Sequence, residues 1–371
     1  DGFCLWPSEH TEHSLKNSLW HNGRGDVVAE VSAACARAGL KFGVYCSPWD
    51  RHERSYGDSP AYNAFFRAQL RELLSNYGPI AEVWFDGACG EGPNGKKQEY
   101  DWDSYYALVR QLQPEAAIAI CGPDVRWVGN ETGLARDDEW SVVAGPRGQG
   151  ERGVDFLEVD NGANDLGSRD NLAENEVSFW YPAECDVSIR PGWFYHASQD
   201  LQVKPLEHLL DIYYRSVGRN SVLLLNVPPD QRGLFHENDV ARLNELRAVL
   251  DATFGEDVAG LAQGGGAAVD GAEDSYWSAQ SDIDVLTLDL GAEKTVDRLL
   301  LQEAIEEGQR VERFVLEGLH EGRWKEIVRG GCIGYKRLER FSRVIIRRVR
   351  LRIKASRAPA RLRRIGLFCA P

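Results

Sequence analysis

Two carboxylates stand out by type and setting. Asp86 closes the apolar run Ala81-Glu82-Val83-Trp84-Phe85-Asp86-Gly87, and Glu131 follows 45 positions later at the end of Arg126-Trp127-Val128-Gly129-Asn130-Glu131. A pair of carboxyl groups is what cleavage of a glycosidic bond requires: one attacks the anomeric carbon, while the other protonates the leaving oxygen and then takes a proton from water, the two standing about 5 Å apart in a retaining arrangement. Asp86, a short side chain on a rigid strand, suits the nucleophile; Glu131, longer and on a loop, suits the proton donor. Trp84 lies two residues before Asp86, on the same face of the strand, and offers a ring on which a sugar can stack. A plainer account exists for each acid, since a carboxylate after an apolar strand often caps a helix and an Asp-Gly pair often makes a turn. Chemistry is favoured by their company, because Trp49, Asp50, Arg51, His52, Arg126 and Trp127 fall at equivalent strand ends.

These residues need strands that deliver them to one place. From Arg24 to Pro229 short apolar runs alternate with amphipathic helical stretches, as in a βα-repeat barrel or an open α/β sheet. Asp26 caps a helix with Val28, Val31, Cys35 and Ala38 on one face and Gly39 as its stop; Pro60 to Tyr77 and Asp101 to Leu112 repeat the pattern. Strands are expected at 41–45, 82–85, 116–121, 177–181 and 222–227, a helix at 206–217 and a closing helix through Val240, Leu243, Leu246 and Leu250. In a βα barrel the loops at the C-terminal strand ends converge on one mouth, which places Asp86 and Glu131 together. Residues 129–173 are polar and glycine-rich and are expected to be long loops with little regular structure. Glu91 to Gln98 reads as a polar loop over the site that could contact the leaving group. Arg190-Pro191-Gly192 reads as a loop that presents Trp193 to the ligand, whereas Trp180 and the aromatic run 193–196 could equally pack in the core.

Length and composition bound the rest. With 371 residues, 43% of them hydrophobic, the chain is expected to form two globular domains. The glycine-rich 260–271 region marks a linker, and beyond it period-two strands (285–290, 298–302, 313–319, 324–328, 343–353, 365–369) predict a β-sandwich. The net charge of −14 is uneven, since Lys and Arg far outnumber Asp and Glu from Val311 onward. The Arg-rich stretch 347–352 alternates with apolar residues as on a solvated strand face, and no nucleic-acid partner is expected. No apolar run is long enough for a membrane span. The eight cysteines and eight histidines are dispersed, so no metal site is proposed and the cysteines are expected to be buried thiols.

At this point the chain resembles glycoside hydrolase family 29, the retaining α-L-fucosidases, and in particular the subgroup acting on α-1,3- and α-1,4-linked branch fucose. The matching stretches are Asp1-Gly2-Phe3-Cys4-Leu5-Trp6, Lys41-Phe42-Gly43-Val44-Tyr45 with Ser47-Pro48-Trp49-Asp50, Glu82 to Ala88, Gly122 to Glu131 and Leu223-Leu224-Leu225-Asn226-Val227. The resemblance implies a (β/α)8-like barrel, Asp86 as nucleophile, Glu131 as acid/base, and Trp84, Arg126, Tyr45 and Trp49 as sugar contacts. Trp193 is the candidate for an apolar contact at C6, which would favour fucose over L-galactose. The family carries a His-His pair just before the Asp-Gly-Phe motif, absent from this sequence. The expectation is therefore of an N-terminally incomplete barrel with little activity on its own, from an enzyme that is periplasmic or secreted.

The C-terminal part, with Tyr276-Trp277, Leu286 to Gly291 and Gly334-Tyr335-Lys336-Arg337, resembles discoidin-like sandwiches, which can bind galactose-type sugars and can hold a structural calcium. The expected domains are thus a barrel at 1–255, a linker at 256–271 and a sandwich at 272–371. The expected function is exo-α-L-fucosidase action on branched, Lewis-type glycans without a cofactor. The alternatives are a carbohydrate-binding protein without turnover and a retaining glycosidase for a related sugar such as α-L-galactose.

Overall fold

The computed structural model describes residues 2–148, 153–175 and 177–371; Asp1, which opens the first matched stretch, lies outside them, as do five positions in and near the 129–173 region. The chain divides into two compact units: residues 1–126 with 145–159, and residues 127–144 with 160–371.

The first unit is α/β. Its strands β1 (Gly43–Tyr45), β2 (Glu82–Phe85), β3 (Ala117–Ile120) and β4 (Val125–Trp127) lie side by side, each parallel to the next. Helices α1 (Val27–Ala38), α2 (Ser59–Asn76) and α3 (Trp102–Leu112) intervene. The predicted caps form: the Asp26 carboxylate accepts from the Ala29 N–H at 2.9 Å, and Gly39, at φ 67°, ends α1 in the left-handed conformation that an L-residue adopts only at a cost. Strand β2 alternates strictly. Val83 and Phe85 are fully buried, with Phe85 meeting Phe66 and Tyr105 of the helices, which leaves Glu82, Trp84 and Asp86 on the other face. Truncating a ring such as Phe85 would cost about 3–5 kcal/mol. Helix α1 departs from expectation, since none of its residues is buried and Val31 is exposed. Its periodicity forms the helix, but Val28 and Cys35 on its apolar face are only half-buried, and Ser32 ties it to the Tyr77 carbonyl at 2.7 Å.

In the second unit β7 (Ala183–Ser188) and β8 (Val222–Asn226) pair in parallel, from Glu184 opposite Val222 to Ser188 opposite Asn226. Helices α5 (Leu206–Arg215) and α6 (Glu237–Phe254) follow them. The 129–173 region is more ordered than its composition suggested: β5 (Val142–Gly145) pairs with β6 (Val177–Trp180), and α4 (Arg169–Glu174) is capped by Ser168. Buried ion pairs such as Arg136 with Glu139 hold a segment that looks like solvated loop by polarity alone.

The C-terminal strands form one antiparallel sheet in the order β12-β11-β13-β10-β14-β9. The segments predicted at 285–290 and 298–302 merge into one strand, β10, which runs continuously over Asp284–Glu303, and the strand predicted at 343–353 extends to β13 over Arg337–Ser356, with β9 at Trp277–Ser278, β11 at Val311–His320, β12 at Arg323–Gly330 and β14 at Arg361–Phe368. Register shifts between Asp289 and Lys294 and between Val296 and Arg298 mark bulges in β10, and residues on both sides of them, Leu286, Leu288, Leu299 and Leu301, enter the same core. The glycine-rich stretch is packed against that core, with Ala259 and Ala268 buried among Leu286, Leu288, Leu301 and Leu362. The Arg-rich face is paired, Arg347 and Arg348 with Asp289, and Arg350 and Arg352 with Glu317. Among the described residues no helix is long and apolar enough to cross a membrane.

Candidate active site

In the first unit the parallel register sets Tyr45 beside Trp84, ring centroids 5.1 Å apart, and the Tyr45 hydroxyl donates to Asp86 Oδ2 at 2.7 Å. Asp86 Oδ1 accepts the Ala88 N–H at 2.8 Å. Both carboxylate oxygens are therefore held, and the side chain that ends β2 is aimed rather than free to rotate. The next shell is also fixed: the Tyr100 hydroxyl donates to the Ala88 carbonyl at 2.8 Å, and Tyr100 shares a hydrogen bond with Tyr56. Burial raises the pKa of the Tyr45 phenol, and the hydrogen bond and charge of Asp86 add to that, so Tyr45 keeps the proton it donates. Burial, with the Asp86 charge second, pushes the Cys121 thiol up to about 12, which leaves it inert as a nucleophile. Cys121 sits against Gly87, where a Cβ would come within 2.7 Å of its sulfur.

Trp49 lies beneath the guanidinium of Arg51, 4.6 Å from its ring centroid, and against Gly90, where an added Cβ would meet the indole at 3.1 Å. Arg126 is fully buried in the middle of β4, in register with Ile120. The 91–98 loop is a folded turn, not a free strap. Glu91 bridges Lys97, and the buried Gln98 side chain accepts from Gly57 N–H and donates to Asn63 and to the Glu99 carbonyl.

In the second unit Glu131 is exposed at the tip of a turn after β4. Asn130 shapes that turn, its amide donating to the Leu134 carbonyl at 2.9 Å while its oxygen accepts the Thr132 N–H at 3.1 Å. Gly133 packs so tightly on Val187 and Ile212 that a Cβ would approach them to 3.0 Å or less. Trp193 is brought to Glu131, its indole N–H donating to Oε2 at 3.3 Å. The loop that carries Trp193 is anchored twice. Asn226 at the end of β8 donates to the Trp193 carbonyl at 3.0 Å, and the buried Arg190 binds both oxygens of Asp239 and one of Asp200.

Sequence reasoning missed strand β7 and with it Asp186, which accepts from the Trp127 indole N–H at 2.7 Å and is almost fully buried, as is Glu184. The signal was present: in Ala183-Glu184-Cys185-Asp186-Val187-Ser188 polar and apolar residues alternate perfectly. Among the described residues no group of three His, Cys, Asp or Glu side chains could hold a metal ion.

Comparison with known proteins finds relatives along almost the whole chain. The sequence profile of the alpha-L-fucosidase family matches residues 1–253, and that of the F5/8 type C domain matches residues 255–364. Alpha-L-fucosidase 1 of Arabidopsis thaliana is 40% identical over 99% of this chain and 74% of its own length. A crystal structure of a homologue from Bacteroides ovatus superposes with a TM-score of 0.90 at 50% identity, covering all of this chain and 62% of that one. A Ruminococcus gnavus GH29 fucosidase solved in complex with fucose gives a TM-score of 0.84 at 30% identity, over 100% of this chain and 81% of that one. The chain thus spans less than two thirds of the Bacteroides ovatus protein's length.

Proposed function

This chain belongs to the alpha-L-fucosidase family of glycoside hydrolases, and from that premise we propose that it removes terminal α-L-fucose from glycans by a retaining double displacement on a (β/α)8-type barrel. Asp86 attacks the anomeric carbon, and the glycosidic C–O bond breaks as Glu131 protonates the leaving oxygen. Glu131 then takes a proton from water, which attacks the fucosyl–Asp86 ester and regenerates the carboxylate. The observation that carries this reading is the two-point hold on Asp86, by the Tyr45 hydroxyl and the Ala88 N–H, at the end of a strand that also carries Trp84, a sugar-stacking ring on the same face. A carboxylate fixed by two donors keeps its attack direction, and holding a nucleophile in line contributes much of a catalysed rate.

Tyr45, Trp84, Trp49 and Arg126 belong to the fucose-binding surface in this reading, and Trp193 reaches the ligand beside Glu131. The substrates are branched glycans with fucose α-1,3- or α-1,4-linked, by the sequence resemblance of the 41–50 and 82–88 stretches to that subgroup.

The test is chemical. Incubation with a 2-deoxy-2-fluoro-α-L-fucosyl fluoride should add one fluorofucosyl mass to the peptide holding Asp86, and Asp86→Asn should lose both labelling and release of fucose from Lewis a or Lewis x trisaccharide. Label on a different carboxylate, or undiminished turnover by Asp86→Asn, would overturn the assignment.

A further inference from the structure

One half of the C-terminal sheet is covered on its outer side and the other is not. Leu300, Leu338 and Phe368 turn away from the sandwich core and pack on Tyr214 of α5 and Phe254 of α6. In the other half Val349, Leu351 and Ile353 of β13 fill the core with Leu286 and Leu288 of β10 and Phe314 and Leu316 of β11. The residues between them take the opposite face, because successive side chains of a strand alternate. On β13 these are Arg348, Arg350, Arg352 and Lys354, four cations that recur about every 6.8 Å along one line. Arg313 of β11, opposite Ala355, joins them at the Lys354 end.

The acids on this face do not balance the ladder. Asp289 is shared by Arg347 and Arg348, at 3.1 and 3.7 Å, and Glu317 is shared by Arg350 and Arg352. Arg313 and Lys354 are exposed and have no ion-pair partner among the described residues. Six cations against two anions leave an excess of four positive charges, and counting Asp282 and Asp284 beside the start of β10 still leaves two. This excess stands out in a chain whose net charge is −14. The surface is also firm: the Arg350 guanidinium lies 4.5 Å from the centre of the Trp324 ring on β12. Two exposed apolar side chains flank the ladder, Val285 in register with Arg352 and, two residues before it, Ile283.

A flat face with evenly repeated cations and an apolar margin matches an extended polyanion whose charges recur along its length and whose rings offer C–H faces. Guanidinium groups grip carboxylates through two parallel hydrogen bonds, which favours carboxylate-bearing sugars. A nucleic-acid duplex would call for an element that enters a groove, and among the described residues this face is strand alone. We propose that the outer face of β13 and its neighbours binds a linear acidic polysaccharide, with its carboxylates along Arg348, Arg350, Arg352 and Lys354 and its rings against Val285 and Ile283. The hydrolase is thereby held on a charged glycan while it acts. This ligand differs in charge from the galactose-type sugars that the sandwich's resemblance implies, and its binding is independent of the roles of Asp86 and Glu131.

The triple variant Arg313→Gln/Arg352→Gln/Lys354→Gln removes three of these cations at positions outside the proposed catalytic machinery. Calorimetry and affinity electrophoresis of the full chain with polygalacturonate read the outcome, with dextran as the uncharged control. The parent should bind polygalacturonate and not dextran, with an affinity that falls as sodium chloride is raised. The variant should bind at least tenfold more weakly, while its urea midpoint and its turnover of 4-nitrophenyl α-L-fucoside match the parent's. Polygalacturonate binding that is absent from the parent, insensitive to salt, or equal in the folded variant would overturn the proposal. Tighter binding of a single-stranded oligonucleotide or of phosphatidylserine vesicles than of polygalacturonate would overturn it as well, since the face would then select phosphate.

Discussion

Asp239→Ala should be among the most damaging single substitutions in the second unit, although Asp239 lies on a helix and touches no proposed substrate. Arg190 and Asp239 are both essentially fully buried, with Nε 3.1 and 3.0 Å from the two carboxylate oxygens. Breaking such a pair by removing one partner costs about 3–5 kcal/mol, because a charge is left in a medium that solvates it poorly. Asp200 stays bonded to Nη1 at 2.9 Å, which places the loss near the lower end, about 3 kcal/mol. Nη2 has no hydrogen-bond partner among the described residues, so the guanidinium holds no spare acceptor in reserve. For a unit of this size that loss corresponds to a fall of roughly 6–12 °C in Tm.

The companion variant Arg190→Met/Asp239→Leu removes both charges and should recover most of the loss, since a buried pair replaced by apolar residues of similar volume is often neutral. Urea unfolding of the parent, the single and the double variant measures all three. A single-variant loss below about 1 kcal/mol, or a double variant no more stable than the single, would refute the view that Arg190 is an internally compensated anchor. Turnover supplies a second reading: at temperatures where Asp239→Ala remains folded, kcat should fall through misplacement of Trp193 against Glu131.

Further outcomes are open to measurement. Tyr45→Phe removes a hydrogen bond to a charged carboxylate, worth about 1.5–3 kcal/mol, and should lower kcat/KM roughly 10- to 100-fold with Tm unchanged; a change within twofold would remove Tyr45 from the machinery. Burial pushes the Glu303 carboxyl from 4.5 up to about 7 against the pull of the Gly334, Val311 and Arg310 N–H groups. Glu303 therefore binds its proton more tightly folded than unfolded, and the stability this confers, about 3 kcal/mol, is present below pH 4.5 and lost as pH rises through 7. Unfolding free energies at pH 4.5, 6 and 7.5 should show that decline in the parent and a flatter profile in Glu303→Gln; parallel profiles would exclude Glu303 as its source. Asn130→Ala frees the turn beneath Glu131 and should lower kcat more than it raises KM, whereas an effect confined to KM would mean that the turn binds ligand without placing the acid.

How much of this was legible in the sequence depended on whether a local pattern also fixed the surroundings. Strand β2 was legible because Val83 and Phe85 alternate with Trp84 and Asp86, and a period of two decides by itself which face each side chain takes. The cap at Asp26 was legible because the Ncap hydrogen bond is made within four residues. Strand β7 was not recognised, because a strand with acids at every second position reads as exposed until it is known that its polar face is buried too, with Asp186 satisfied by an indole 59 residues away. The continuity of β10 escaped for the opposite reason: bulges near Asp289 and Val296 break the period without breaking the strand, so it is visible only in the pairing with β13. The same limit governs the candidate site. Asp86 and Glu131 could be chosen by residue type and position, but what aims them comes from Tyr45, 41 residues before Asp86, and Trp193, 62 residues after Glu131. Those partners are set by strand register and by the Arg190 anchor, long-range consequences of packing to which no short motif answers, and the anchor is for that reason the sharpest place to perturb the surroundings of Glu131.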